Sequence, residues 1–206
     1  MDPSGAVRRL LGDRRTIGLG VLLIFLGVVG KLALLRFANI ETVFVATLLA
    51  GSLLGRAWTV LVPLGTLGVL QPFAWGALYP GYGLEDVLGI TFFVVTGFLF
   101  VGLVGRTVRR RVLLRVKSVA LLTSISVPLT VAFDVWTDIG DWYFLFRPEG
   151  IDFLTVLYWQ VPFTVYHVLS SLLFVPLFGT MFLFLVSAPT SEREPEGVAD
   201  ASEESG

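Results

Sequence analysis

The sequence predicts an all-α integral membrane protein with six transmembrane helices and both termini on the cytoplasmic side. Three observations carry this expectation. Of 206 residues, 55% are hydrophobic and 15% charged, with a mean hydropathy of +0.82; a soluble domain has roughly 45–50% and 25%. The charges are clustered, and the runs between them are long enough to cross about 30 Å of hydrocarbon, which takes about 20 residues of helix. Lysine and arginine also gather at alternate ends of those runs, as they do when basic residues are retained on the cytoplasmic face.

Residues 1–15 form a basic cytoplasmic segment with Arg8, Arg9, Arg14 and Arg15. The apolar stretch that follows runs past Gly30 without an Ala-x-Ala site, so it reads as a retained anchor rather than a cleaved signal. Spans are expected near 16–36, 40–55, 57–79, 86–105, 118–137 and 162–187, which together make a membrane domain over 16–187. The second is short and ends at Gly51 and Gly55. Pro162 is placed as a first-turn proline of the sixth, which puts Gln160 at the outer mouth. With the amino terminus inside, twelve Lys and Arg lie on the cytoplasmic side and only Lys31, Arg36 and Arg147 outside. The basic loop 106–117 reads either as a topology determinant or as a contact for anionic lipid or a partner. Residues 188–206 (APTSEREPEGVADASEESG) carry six acids against one Arg and a single Val as their only larger apolar residue. Such a composition forms no core, and the expectation is a disordered acidic cytoplasmic tail.

Inside a bilayer a polar side chain must be paired, face protein or line water, so the polar minority is more informative than the apolar background. Thr123, Ser126, Thr130, Asp134 and Thr137 follow one another at helical spacing on the fifth span and share one face. Thr164, His167 and Ser171 form a similar stripe on the sixth. The hydroxyls alone read equally well as interhelical glue. Asp134 and His167, the single imidazole of the chain, are costly in the outer half of two spans and mark a functional site or a structural pair.

The segment from Asp134 to Gln160 mixes acids with Trp136, Trp142, Tyr143, Phe144, Phe146, Tyr158 and Trp159. Any one of these rings fits an interfacial belt. Their density beside fixed polar groups suits a flat amphipathic small molecule. Asp134, Asp138 and Asp141 would gather three carboxylates on a continued helix, but Gly140 argues against continuation and no second acidic motif completes a metal site. No metal is expected.

Small residues recur at positions that allow close helix contact, within the protein or with a partner: Gly20, Gly27 and Gly30 on the first span, Ala46 and Ala50 on the second. Without cysteine there is neither a disulfide nor a thiolate site. FLGVVGKL at 25–32 lacks the first glycine and the Ser/Thr of a phosphate-binding loop and lies within a span. Serine-hydrolase and zinc-protease motifs are missing too, so the chain is expected not to be an enzyme and to need no cofactor. No nucleic-acid partner is expected either.

Three stretches, FANIETVFVATLLAGSLLGR (37–56), AFDVWTDIGDWY (132–143) and VPFTVYHVLSSLLF (161–174), resemble the substrate-binding S component of energy-coupling factor (ECF) transporters. The likeness covers most of 16–187 in layout. Thr137-Asp138 stands where the family often has Thr-Asn, Ser171 where it often has Asn, and the Ala-x-x-x-Ala coupling motif of the first span is missing. The resemblance implies a plasma-membrane subunit that captures a vitamin or related micronutrient from outside, between the fourth to sixth spans, under a first outer loop near Asn39 and Glu41. It implies Asp134, Trp136, Thr137, Trp142, Tyr166 and His167 as ligand contacts, to which the two polar stripes add Thr130 and Ser171 as candidates. It also implies a separate T component and cytoplasmic ATPases as partners, with Gly20, Gly27 and Gly30 as an approximate small-residue face at the partner interface; spacing adds Ala46 and Ala50 as candidates there. A stand-alone small secondary transporter or channel, and a structural membrane protein without a ligand, are the competing expectations.

Overall fold

A computed structural model of the protein describes residues 11–34, 37, 42–78, 81–109 and 116–187, with the side chains of 74–78 and 116 excepted. Its described elements are all helical. α1 spans Arg14–Ala33 and α2 spans Thr42–Leu49, continued by a π-helical turn over Ala50–Leu54. α3 is Arg56–Leu78 and α4 is Leu84–Val108. α5 is Val116–Asp141, continued by a second π turn over Trp142–Phe146, and α6 is Phe153–Ser187.

Four segments, Arg14–Ala33, Leu84–Val108, Lys117–Phe146 and Phe153–Ser187, are long and apolar enough to cross a membrane. Their outward faces are apolar as well: Phe25, Phe92, Leu154 and Phe184 are all more than half exposed. A water-soluble protein does not display so many large apolar side chains, whereas lipid solvates them without cost. The chain is a membrane protein.

α2 lies at the centre. Every residue of Thr42–Leu49 is buried, and α1, α3, α4 and α6 pack around it. Glycine makes this closeness possible. A Cβ at Gly51 would fall 2.1 Å from the Gly102 carbonyl oxygen, and one at Gly105 would fall 2.6 Å from that of Leu48. Gly102 in turn lies against the Thr59 carbonyl, the group that Pro63 deprives of its helical donor. The π turn closes with Gly55 N–H donating to the Ala50 carbonyl at 3.4 Å, and Gly55 leaves it at φ +129°, a conformation open to glycine.

Along the α4–α5 seam aromatic rings sit on glycines from both sides. Phe144 covers Gly89, Phe133 covers Gly97, and Phe93 covers Gly140. This corrects the expectation at Gly140: the missing Cβ there makes room for the Phe93 ring, 2.7 Å from where it would stand. α5 therefore runs on to Asp141 rather than ending near 137. α6 differs in the same direction. It starts at Phe153, so Pro162 lies inside the helix and not in its first turn. Asp152 caps that start, accepting from Thr155 N at 3.0 Å and from its hydroxyl at 2.6 Å, and these two bonds hold its carboxyl below the usual value of 3.8. Asp13 does the same for α1 through Thr16 N.

The small residues expected at a partner interface face inward instead. Gly20 seats the Trp58 ring, Gly27 meets Thr66 and Gly30 meets Thr42, while Ala46 and Ala50 belong to the core. Backbones pack closely where side chains are small, and here the close neighbours are the protein's own α2 and α3.

Candidate functional site

α5 and α6 pack side by side, and their polar stripes meet. The periodicity of α5 places Ser126, Thr130, Asp134 and Asp138 toward the protein, and all four are buried. On α6 the same is true of His167, Ser170 and Ser171. His167 Nδ1 and Asp134 Oδ1 are 2.6 Å apart, with both side chains almost fully enclosed. A contact this short between a carboxylate and an imidazole is a charge-assisted hydrogen bond when the ring is protonated.

The walls of the site are aromatic. Phe44 of α2 meets the His167 ring edge-on at 5.2 Å between centroids, and Phe133 does so at 5.8 Å. Phe44 and Phe133 touch each other at 6.1 Å. The imidazole therefore packs between rings of α2 and α5.

Several polar atoms in this region have no hydrogen-bond partner among the described residues. Asp134 Oδ2, His167 Nε2 and Thr130 Oγ1 are buried and unmatched; Thr47 Oγ1 on α2 is unmatched too, but its side chain lies against Gly102 of α4. An unsatisfied buried polar atom costs about 1–3 kcal/mol, so the three on the facing sides of α5 and α6 mark a place where a further polar group would be stabilised. Ser126 and Ser171 extend the polar seam below: their hydroxyls are 3.5 Å apart, and each also bonds a carbonyl of its own helix.

Other expected contacts fall elsewhere. Trp136 follows Asp134 by two residues, about 200° around the helix, and its indole donates to the Phe93 carbonyl at 3.1 Å and the Thr96 hydroxyl at 2.9 Å on α4. Tyr166 is 58% exposed on the outer face of α6, about 100° around the helix from the buried His167. Trp142 lies in the second π turn and bonds the Ile151 carbonyl at 2.9 Å, bracing the connection to α6. Thr137 bonds the Phe133 and Asp134 carbonyls of its own helix. Asn39 and Glu41 lie outside the described residues. No three His, Cys, Asp or Glu side chains come together as a metal site among the described residues.

Sequence reasoning missed Phe44 and Phe133. Phe133 was open to detection as the neighbour of Asp134. Phe44 had no signal, because α2 is buried on every side and shows no polar-to-apolar alternation.

Fold and site together define an all-helical membrane protein with a buried carboxylate–imidazole pair at its α2–α5–α6 junction. The chain belongs to a family of unknown function, DUF6580, whose pattern matches residues 13–192. No curated protein and no solved structure matches it.

Proposed function

We propose that this chain is the membrane-embedded substrate-binding subunit of an ECF-type importer in the plasma membrane, capturing a vitamin or related micronutrient from outside. Six spans with both termini cytoplasmic go with that reading. The 23-residue α3 rises about 35 Å, enough to cross the hydrocarbon. The eight-residue α2 with its five-residue π turn is shorter than the bilayer core, but other helices enclose it and shield it from the mismatch. ATP-driven uptake would fall to a T component and cytoplasmic ATPases.

The observation that supports the reading most is the Asp134–His167 pair with an unmatched atom on each partner. Ionisable groups inside a membrane are expensive, and those that persist serve substrates, ions or protons. Thr130 and Ser171 extend the polar surface, and Phe44 and Phe133 supply ring faces against which a flat molecule would stack. A vitamin-sized ligand needs several hundred Å³, so α2 must move away from α5 and α6 for it to enter.

That closure favours a second reading. His167 is 1% exposed, which suits a site that exchanges protons in a stand-alone secondary transporter. Mass spectrometry of small molecules that copurify with the chain separates the two, together with uptake assays in liposomes. A copurifying micronutrient, and uptake only when a T component and ATPases are added, is the expected result. Uptake by the chain alone under a pH gradient, with no ATPase present, would sink the importer-subunit proposal.

A further inference from the structure

One end of the bundle is strongly basic, and its geometry is fixed by contacts between distant elements. Arg15 at the start of α1 donates to the Leu185 carbonyl at the end of α6. Trp58 near the start of α3 donates to the Leu11 carbonyl before α1 at 2.9 Å. The Arg109 guanidinium at the end of α4 lies against Gly55, just ahead of α3, and Val119 near the start of α5 lies against Gly179 of α6. The starts of α1, α3 and α5 therefore share one end with the finishes of α4 and α6.

Arg14, Arg56, Arg106, Arg109 and Lys117 are exposed there. Among the described residues at this end Asp13 is the single acid, and it is engaged in capping α1. The cations are thus uncompensated within the helical bundle. The segment that leaves this same end, residues 188–206, carries six acids against one Arg.

We infer that the acidic segment 188–206 docks electrostatically onto the basic end of its own helical bundle and occupies the surface that an anionic partner or anionic lipid would otherwise take. The charges are complementary in sign and close in number. Reach is sufficient: by the square-root rule for a random coil a length of 19 residues corresponds to about 25 Å r.m.s., comparable with a bundle whose helices lie 8–10 Å apart. Tethering also raises the effective concentration to the millimolar range, so a weak multi-charge contact suffices. The inference stands apart from the importer reading, because it needs only the positions of the charges.

The chain has no cysteine, so Ser202→Cys and Thr107→Cys can be spin-labelled in the full chain and their separation measured by pulsed electron resonance. Thr107 is exposed between Arg106 and Arg109. In neutral-lipid nanodiscs at 0.1 M salt a population of short distances is expected. That population should be lost at 1 M salt, where the screening length falls from about 10 Å to about 3 Å. It should also be lost when Glu192→Gln, Glu194→Gln, Glu196→Gln, Asp200→Asn, Glu203→Gln and Glu204→Gln are combined. A broad distribution that ignores both salt and neutralisation overturns the proposal. So does a short distance present in neutral lipid but absent in bilayers rich in anionic lipid, since the bilayer then holds the patch.

Discussion

Asp134 and His167, 33 residues apart in sequence, meet at 2.6 Å in a fully enclosed contact between α5 and α6. The pair ties the two longest described helices together at a depth where neither side chain has water to fall back on. Removing one partner leaves the other buried and unmatched, whereas removing both leaves only an apolar gap.

A double-mutant cycle should therefore be strongly non-additive. His167→Leu alone and Asp134→Leu alone are each expected to destabilise the protein by more than the Asp134→Leu/His167→Leu double variant, with a coupling of about 1–3 kcal/mol. Thermal unfolding in detergent measures it, and simple additivity would show that the contact contributes nothing.

Under the proposed function, ligand affinity is expected to depend on the same pair. In whatever small molecule copurifies, Asp134→Ala or His167→Ala is expected to abolish high-affinity binding while the detergent-solubilised protein stays folded. Unchanged affinity in both variants would remove the pair from the site.

Thr130 and Thr66 make a matched comparison, because each buries an unpartnered hydroxyl. Thr130 belongs to the Asp134 face; Thr66 lies under Gly27 on the α1–α3 seam. Thr66→Val and Thr130→Val should each stabilise the ligand-free protein by about 1 kcal/mol, since a methyl replaces an unmatched polar atom. Only Thr130→Val should also weaken ligand binding, by about tenfold, the factor that corresponds to 1.4 kcal/mol. An equal effect of both variants on binding contradicts the assignment of Thr130.

Glycine positions divide by what lies above them. At Gly20 a Cβ would fall 2.2 Å from the Trp58 ring, and at Gly140 it would fall 2.7 Å from Phe93. Gly20→Ala and Gly140→Ala should cost about 1–3 kcal/mol through overpacking. Gly18→Ala, with nothing within 4 Å, should be neutral or stabilising by up to about 1 kcal/mol from helix propensity. Melting temperatures of the three variants check the order.

At the start of α6 the pH response has a defined sign. Because Asp152 holds its carboxyl below the unfolded value of 3.8 through its bonds to Thr155, its contribution is present at neutral pH and is lost as pH falls below about 4. Hydrogen exchange at the Thr155 amide, compared between the natural chain and Asp152→Ala, should show protection that differs at pH 6 and converges in acid. The same difference at both pH values would mean that the cap acts without its charge.

Much of the architecture was legible beforehand because its causes are local. Hydrophobic runs mark lipid as the solvent, and each expected span has a helix at its centre. The face shared by Ser126, Thr130 and Asp134 needs only the 3.6-residue period, as does the stripe through His167 and Ser171. Composition and spacing alone thus determined a helical membrane protein, the chain positions of its rods, and the two polar stripes.

Tertiary structure decided which apolar faces point inward, and for a physical reason. In water, burial can be read from amphipathicity. In lipid the outer face is as apolar as the core, so Phe184 on the surface and Phe182 inside it look alike in sequence. That is why the central place of α2 was hidden, why Gly20, Gly27 and Gly30 proved to seat the protein's own side chains, and why Trp136 and Tyr166 turned away from the pair. Extension of α5 past Gly140 had the same origin, for the glycine is there to receive Phe93. Only the packed bundle shows that Asp134 and His167 meet each other, and that Phe44 packs edge-on against the imidazole.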